Sequence, residues 1–259
     1  MTTREQIVHN LRSTLQSFAG LLDRLQPEQW EVQSLCPAWT VRGVALHVAG
    51  IESVLMGWKP GGENPFAAMP AVAAELEALS TTELTARFHQ VVAARLLEIE
   101  AMTDDEFFSP SFTPVGQATY ARFMAVRVFD IWVHERDIAT PLGIDTDNSG
   151  PAAEMALDEV EGSIGYIVGK KIGATEGNSL TFTTTGGVLR SIHVKVEGRA
   201  ARVEHLDHAD AVVTADSLTF MQLACGRIDP EAAISSGAIG YTGDAALGDR
   251  ACRNLAFTM

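Results

Sequence analysis

The sequence predicts a two-domain α+β protein: an antiparallel four-helix bundle over residues 1–149, then a small α+β domain over residues 150–259. Three observations predict it. Apolar residues recur at helical spacing through the first half. The turn-rich DTDNSGP at 145–151 closes that half. Beyond it, stretches rich in β-branched residues bring in a strand pattern.

Taken in order, residues 4–25 place Ile7, Leu11, Leu15, Phe18, Leu22 and Leu25 three or four apart, one apolar stripe ending near Pro27. In SLCPAWTVRGVALHVAGIESVLMGW, Pro37 favours a turn and Thr40 an N-cap, so Val41 to about Trp58 reads as the second helix. KPGGENP at 59–65 cannot continue a helix and reads as a loop. A third helix runs from about Thr82 and carries Leu84, Phe88, Val91, Arg95 and Leu96. SPSFTPVGQ at 109–117 reads as a loop, and Tyr120 to Thr140 as a fourth helix ended by Pro141 and Gly143. In the second half, 152–170 reads as helix and 179–185, 191–197, 201–206 and 211–215 as strands, with Gly186 and Gly187 forming a hairpin turn. Ser217 to Cys225 and Asp244 to Phe257 read as helices.

Composition narrows the function. With 46% apolar and 20% charged residues, the chain is that of an ordinary folded protein. Its 19 basic and 33 acidic residues give a net charge of −14, and the basic ones are scattered. Such a surface repels phosphate backbones and anionic headgroups, so the expected partners are small molecules, not nucleic acid or membranes. No apolar run approaches the ~20 residues that cross a bilayer, and MTTREQIVHNLRSTLQ has no signal-peptide core. Cys36, Cys225 and Cys252 form no CxxC pair, which argues against a disulfide framework or a zinc ribbon. The cytoplasm is the expected compartment.

The most informative stretch is ARFMAVRVFDIWVHERDIAT at 121–140. Its breadth of apolar residues reads as a helix buried on most sides. Within it, Arg127, Asp130, His134 and Asp137 recur at steps of three, four and three, forming a polar stripe. A carboxylate and an imidazole one turn apart can share a cation. On spacing alone the plainer reading, a salt bridge or hydrogen bond on a solvated face, comes first. His47 changes the balance. It lies in the apolar VALHVAGI, where an unpartnered imidazole is expensive to bury. Together the two observations favour a divalent metal, zinc first, held by His47, Asp130 and His134 with a fourth position open. Asp137 reads as either a support for His134 or, slightly preferred, a partner for an exposed arginine. Trp39 and Trp58 read as core, and Cys36 as a buried structural residue. His9, His89, His193, His205 and His208 show no ligand spacing.

At these residues a resemblance enters. SLCPAWTVRGVALHVAGIE is similar to the N-terminal signature of the mycothiol-dependent maleylpyruvate isomerase family, within the DinB-like superfamily of helical bundles. RVFDIWVHERDIATPLG resembles that family's second signature, and TADSLTFMQLACGRIDPEAAISSGAIGYTGDAALGDRACRNLAF its sterol-carrier-like C-terminal domain. The resemblance implies a zinc triad at His47, Asp130 and His134, with aspartate where the family usually has glutamate. It also implies a catalytic arginine, best matched by Arg227, with a surface residue closing a helix as the equal alternative. The implied cosubstrate is the low-molecular-weight thiol mycothiol, and the implied substrate a small electrophile such as maleylpyruvate. Arg227 or Arg127 would pair with a substrate carboxylate. Cis–trans isomerisation and S-transfer both follow from such a site. A non-catalytic metal-containing protein, whose C-terminal domain holds a small apolar ligand, is the alternative from another class. Monomer and homodimer are both left open.

Overall fold

The computed structural model describes residues 2–114 and 116–258, and its chain contacts divide it into two compact units, Met1–Thr146 and Asp147–Met259. Both helices and a mixed sheet are present, so the class is α+β.

In the first unit, α1 (Arg4–Leu22) starts at a capping box in which Thr3 and Gln6 satisfy each other's backbone N–H groups. A 3₁₀ turn at Pro27–Glu31 leads towards α2 (Val41–Leu55), capped by the Thr40 hydroxyl on the Gly43 N–H. Next come a 3₁₀ turn (Pro65–Ala68), α3 (Met69–Glu77) and α4 (Thr81–Ala101), the last opened by a Ser80–Glu83 capping box. The short α5 (Asp104–Phe107) precedes a hairpin of β1 (Pro110–Thr113) and β2 (Gly116–Thr119), and α6 (Tyr120–Ala139) closes the unit. Helix α1 packs on α4 and α6, and α2 packs on the same two helices. Leu11, Leu15, Phe18, Val44, Val48, Phe88, Val91, Met124, Val128 and Ile131 fill the space between them.

Two local expectations are corrected here. The segment at 109–117 is not a plain loop but a hairpin, with Phe112 paired to Gln117 and Thr113 to Gly116; Val115 lies outside the described residues. Its strands are too short for period-two alternation to register. Helix α3 was not expected, because its apolar Pro-Ala-Val-Ala-Ala run buries little beyond Leu76.

In the second unit, α7 (Gly150–Gly162) is followed by α8 (Ile164–Tyr166) and a π turn (Ile167–Lys171), where one continuous helix was expected over 152–170. The second segment packs closely on strand backbone: a Cβ at Gly165 would stand 2.7 Å from the Ala200 carbonyl oxygen. Strands β3 (Ser179–Thr185), β4 (Arg190–Glu197), β5 (Arg199–Val203), β6 (Ala211–Asp216) and β7 (Ile239–Gly243) form one sheet in the order β5-β4-β3-β6-β7. Only the β3–β6 pair is parallel. Strand β5 starts before the expected 201–206 because Gly198, at φ 68, turns the chain so tightly that Glu197 pairs with Arg199. Helices α9 (Ser217–Ala224), α10 (Pro230–Ser235) and α11 (Ala245–Arg253) complete the unit, and α11 ends four residues short of the expected Phe257. Helix α9 covers β3 and β6, with Phe220 against Phe182 at a centroid distance of 5.8 Å.

Candidate metal centre

The first unit brings His47, Asp130 and His134 together. Asp130 and His134 stand one turn apart on α6, and His47 arrives from the middle of α2, which packs against it. Asp130 Oδ2 lies 3.7 Å from His47 Nε2, and Oδ1 lies 3.6 Å from His134 Nε2. One ligand atom from each residue falls within 4.8 Å of the others, and the cluster is the only group of its kind found among the described residues. These gaps are too long for hydrogen bonds. They are close to the roughly 3.3 Å that separates ligand atoms around a tetrahedral zinc ion with bonds near 2.05 Å.

A second observation tests the fit. His47 Nε2 is buried and has no hydrogen-bond partner among the described residues. A nitrogen in that position carries a desolvation cost that a metal bond would offset. Burial lowers the His47 pKa against the opposing pull of Asp130, which keeps the imidazole neutral and its lone pair available. Burial pushes the Asp130 carboxyl up, but Arg127 and the two histidines outweigh it and hold the group well below the usual carboxylate range. The donor set is therefore two imidazole nitrogens and one carboxylate oxygen, which suits a divalent ion of the zinc type.

Asp137 is almost fully buried, and its Oδ2 takes the Nδ1 of His134 at 2.9 Å, the supporting contact that was one of its two expected roles. An ionised carboxylate only accepts, so this contact places the imidazole proton on Nδ1 and leaves Nε2 free towards Asp130. The spacing of three along α6 was visible in the sequence. The burial of this pair was not.

Trp39 and Trp58 are not core residues, since both are only half-buried. The Trp39 ring lies 4.6 Å from the His47 ring and 5.8 Å from that of His134. Its position is built locally. A Cβ at Gly43 would approach the Trp39 Cβ to 2.9 Å, so the glycine lets the indole sit against α2. The Leu35 N–H donates to the Asp137 carbonyl at 2.9 Å and ties the same loop to α6. Trp58 instead lines a cavity of about 620 Å³ with Arg95, Glu98, Met102 and Tyr120. None of the three clustered residues lines it, and the donor chemistry, not the volume, marks the candidate centre.

Arg127 does not offer a free guanidinium to a substrate. It is buried and donates to Glu52 at 2.8 Å and to Asp130 at 2.5 Å. Glu52 is the residue that sequence reasoning missed; the one available signal was a lone acid in the apolar α2. Arg227 follows α9 in the second unit, half-buried, with its guanidinium donating to the Cys225 carbonyl at 2.8 Å. His89 is an exposed partner of Asp23, His205 of Asp207, and His193 contacts Thr181.

Comparison with known proteins gives this centre a context. Residues 11–139 match the mycothiol maleylpyruvate isomerase N-terminal domain, and residues 154–250 match the MDMPI C-terminal domain. Among solved structures, the chain is similar to a crystal structure of the mycothiol-dependent maleylpyruvate isomerase, at 18% identity and a TM-score of 0.63, covering 94% of this chain and 95% of that one. A histidine-to-alanine mutant of that isomerase gives 17% identity and a TM-score of 0.61, with the same coverage. No curated protein matches the chain. Among the described residues, no helix is long and apolar enough to cross a membrane. With both domain models matched in order along most of its length, the chain belongs to the mycothiol-dependent maleylpyruvate isomerase family.

Proposed function

We propose that this protein is a metal-dependent enzyme that uses mycothiol to isomerise a small cis-unsaturated acid of the maleylpyruvate type, or to transfer the thiol to a related electrophile. The observation that carries the reading is the buried, unpartnered His47 Nε2 facing Asp130 and His134. In this reading α1, α2, α4 and α6 constitute a DinB-like four-helix bundle over residues 1–149, and residues 150–259 a sterol-carrier-like domain. The protein works in the cytoplasm on soluble substrates.

His47, Asp130 and His134 would hold the ion, with zinc the first candidate. When bound, it would supply Lewis-acid chemistry that favours the thiolate form of a nearby thiol near neutral pH. Asp137 keeps the His134 proton on Nδ1, so that Nε2 faces the cluster. Trp39 covers one side of both imidazoles and limits water there. The reaction itself balances without an oxidant. A thiolate adds to the electron-poor double bond, the resulting single bond rotates, and loss of the same thiolate restores the double bond in the trans geometry. Arg227 is the proposed partner of a substrate carboxylate.

Zinc-loaded protein mixed with mycothiol and maleylpyruvate should form the trans isomer while total thiol stays constant. Stoichiometric thiol loss would select S-transfer. Neither isomerisation nor thiol consumption across a panel of electrophiles would refute the enzymatic reading. Arg227→Ala should lower turnover at least tenfold and leave metal content unchanged.

A further inference from the structure

The two carboxylate oxygens of Asp130 have different neighbours. Oδ2 accepts from Arg127 Nη1 at 2.5 Å and stands 3.7 Å from His47 Nε2, whereas Oδ1 has no such donor among the described residues and lies 3.6 Å from His134 Nε2. Arg127 precedes Asp130 by three residues on α6, and its Nε donates to Glu52 Oε1 at 2.8 Å. Glu52 is 0% exposed, on the helix that carries His47. Its Oε2 takes the Nε of Arg95, 1% exposed on α4, at 3.3 Å. Arg95 also donates to Tyr120 and Glu98. Three helices thus contribute a line of alternating charge, Arg95–Glu52–Arg127–Asp130, buried at its first three members and half-buried at Asp130.

Such a line is a poor way to stabilise a fold. Desolvating the three buried charges offsets much of what their attraction returns, and apolar side chains of similar volume would serve as well or better. What the line achieves is placement. Guanidinium groups are planar and bind two partners in fixed directions, so Arg127 is held by one carboxylate while it holds the other. Its Nη2 is buried without a partner among the described residues, and its other guanidinium nitrogens donate to Glu52 and Asp130.

We propose that Arg127, anchored by Glu52, is a positioning residue that reserves Asp130 Oδ2 and so restricts this carboxylate to one oxygen towards a bound divalent ion. The inference rests on the metal reading above. Its consequence is chemical. Two imidazoles and one carboxylate oxygen leave the fourth position of a tetrahedral ion open, and a second oxygen would occupy it. By competing for that oxygen, Arg127 keeps the position available.

The test uses full-length protein loaded with Co(II), whose visible absorption reports coordination number, with affinity read by chelator competition. Arg127→Met removes the competing donor and leaves Glu52 paired with Arg95. It should weaken the visible band towards that of a five-coordinate ion and tighten cobalt binding about tenfold. Glu52→Gln keeps the shape but removes the charge that balances Arg127, and should loosen cobalt about tenfold. Opposite signs are the signature. A residue needed only for folding would loosen cobalt in both variants and leave the spectrum of the bound fraction unchanged, which would overturn the proposal. If Arg127→Met does not fold, Arg127→Lys takes its place. One ammonium cannot bridge both carboxylates in the same way, so the band should again weaken, and a wild-type band would overturn the proposal. Absence of any cobalt band from the wild-type protein would overturn the metal reading, and this inference with it.

Discussion

Replacing Asp137 with asparagine probes the candidate centre one bond away from the proposed ligands. The carboxylate is 1% exposed and meets His134 Nδ1 at 2.9 Å. A hydrogen bond to a charged group contributes about 1.5–3 kcal/mol and a neutral one about 1 kcal/mol. The substitution therefore removes roughly 0.5–2 kcal/mol of support from the ligating form of His134, a factor of about 2–30 in metal affinity. Asparagine can also turn its amide N–H₂ towards the ring, which would favour the proton on Nε2 and block ligation outright, so the loss should exceed the hydrogen-bond difference alone and reach about tenfold. The peptide carbonyl at 137, which accepts from Leu35, is unaffected, and the fold should survive. The assay is zinc competition against a chromogenic chelator at pH 7.5, with circular dichroism as the control for folding. A dissociation constant within twofold of wild type would refute the argument that Asp137 fixes the His134 tautomer.

Three further predictions follow from separate parts of the molecule. His47→Ala and His134→Ala should each abolish stoichiometric metal in protein purified without chelator, whereas His89→Ala, at an exposed pair with Asp23, should retain it; elemental analysis decides. Burial, with help from Asp249, pushes the Cys252 thiol up to about 11, so iodoacetamide at pH 8 should label it only after unfolding. Because that folded pKa lies above the unfolded one, this thiol's contribution to stability is complete below the unfolded pKa of about 8.5 and is lost as pH rises towards 11. A denaturation midpoint that rises from pH 8.5 to pH 11 in wild type relative to Cys252→Ala would contradict the assignment. Phe182→Ala removes a 1%-exposed ring packed on Phe220 and should destabilise the second unit by about 3–5 kcal/mol in urea unfolding. A loss under 1 kcal/mol would place the core of that unit elsewhere.

Much of the architecture was readable because it depends on local periodicity. The α1 stripe from Ile7 to Leu22, the Thr40 cap and the span of α6 all follow from residues within one or two turns of each other. The same is true of the strands at 179–185 and 211–216, whose β-branched residues declare themselves. Strand β7 was not readable, since four of its five residues are exposed and Ile239 alone points inward. Nor was the parallel β3–β6 pairing, which joins segments about 30 residues apart and leaves no short-range mark.

For the candidate centre the division is sharper. Sequence alone put Asp130 and His134 on one face of a helix, because 3.6 residues per turn leaves no other arrangement. It also flagged His47 as a polar group in apolar surroundings. Tertiary packing decided what those facts mean together, by laying α2 across α6 so that the three ligand atoms come within 4.8 Å. Packing likewise turned Asp137 inward to His134, brought Trp39 over both imidazoles, and joined Glu52 to Arg127 across 75 residues of chain. Helical spacing governs neighbours along one element. Which elements meet, and which charges must then share a buried space, is set by the whole core at once.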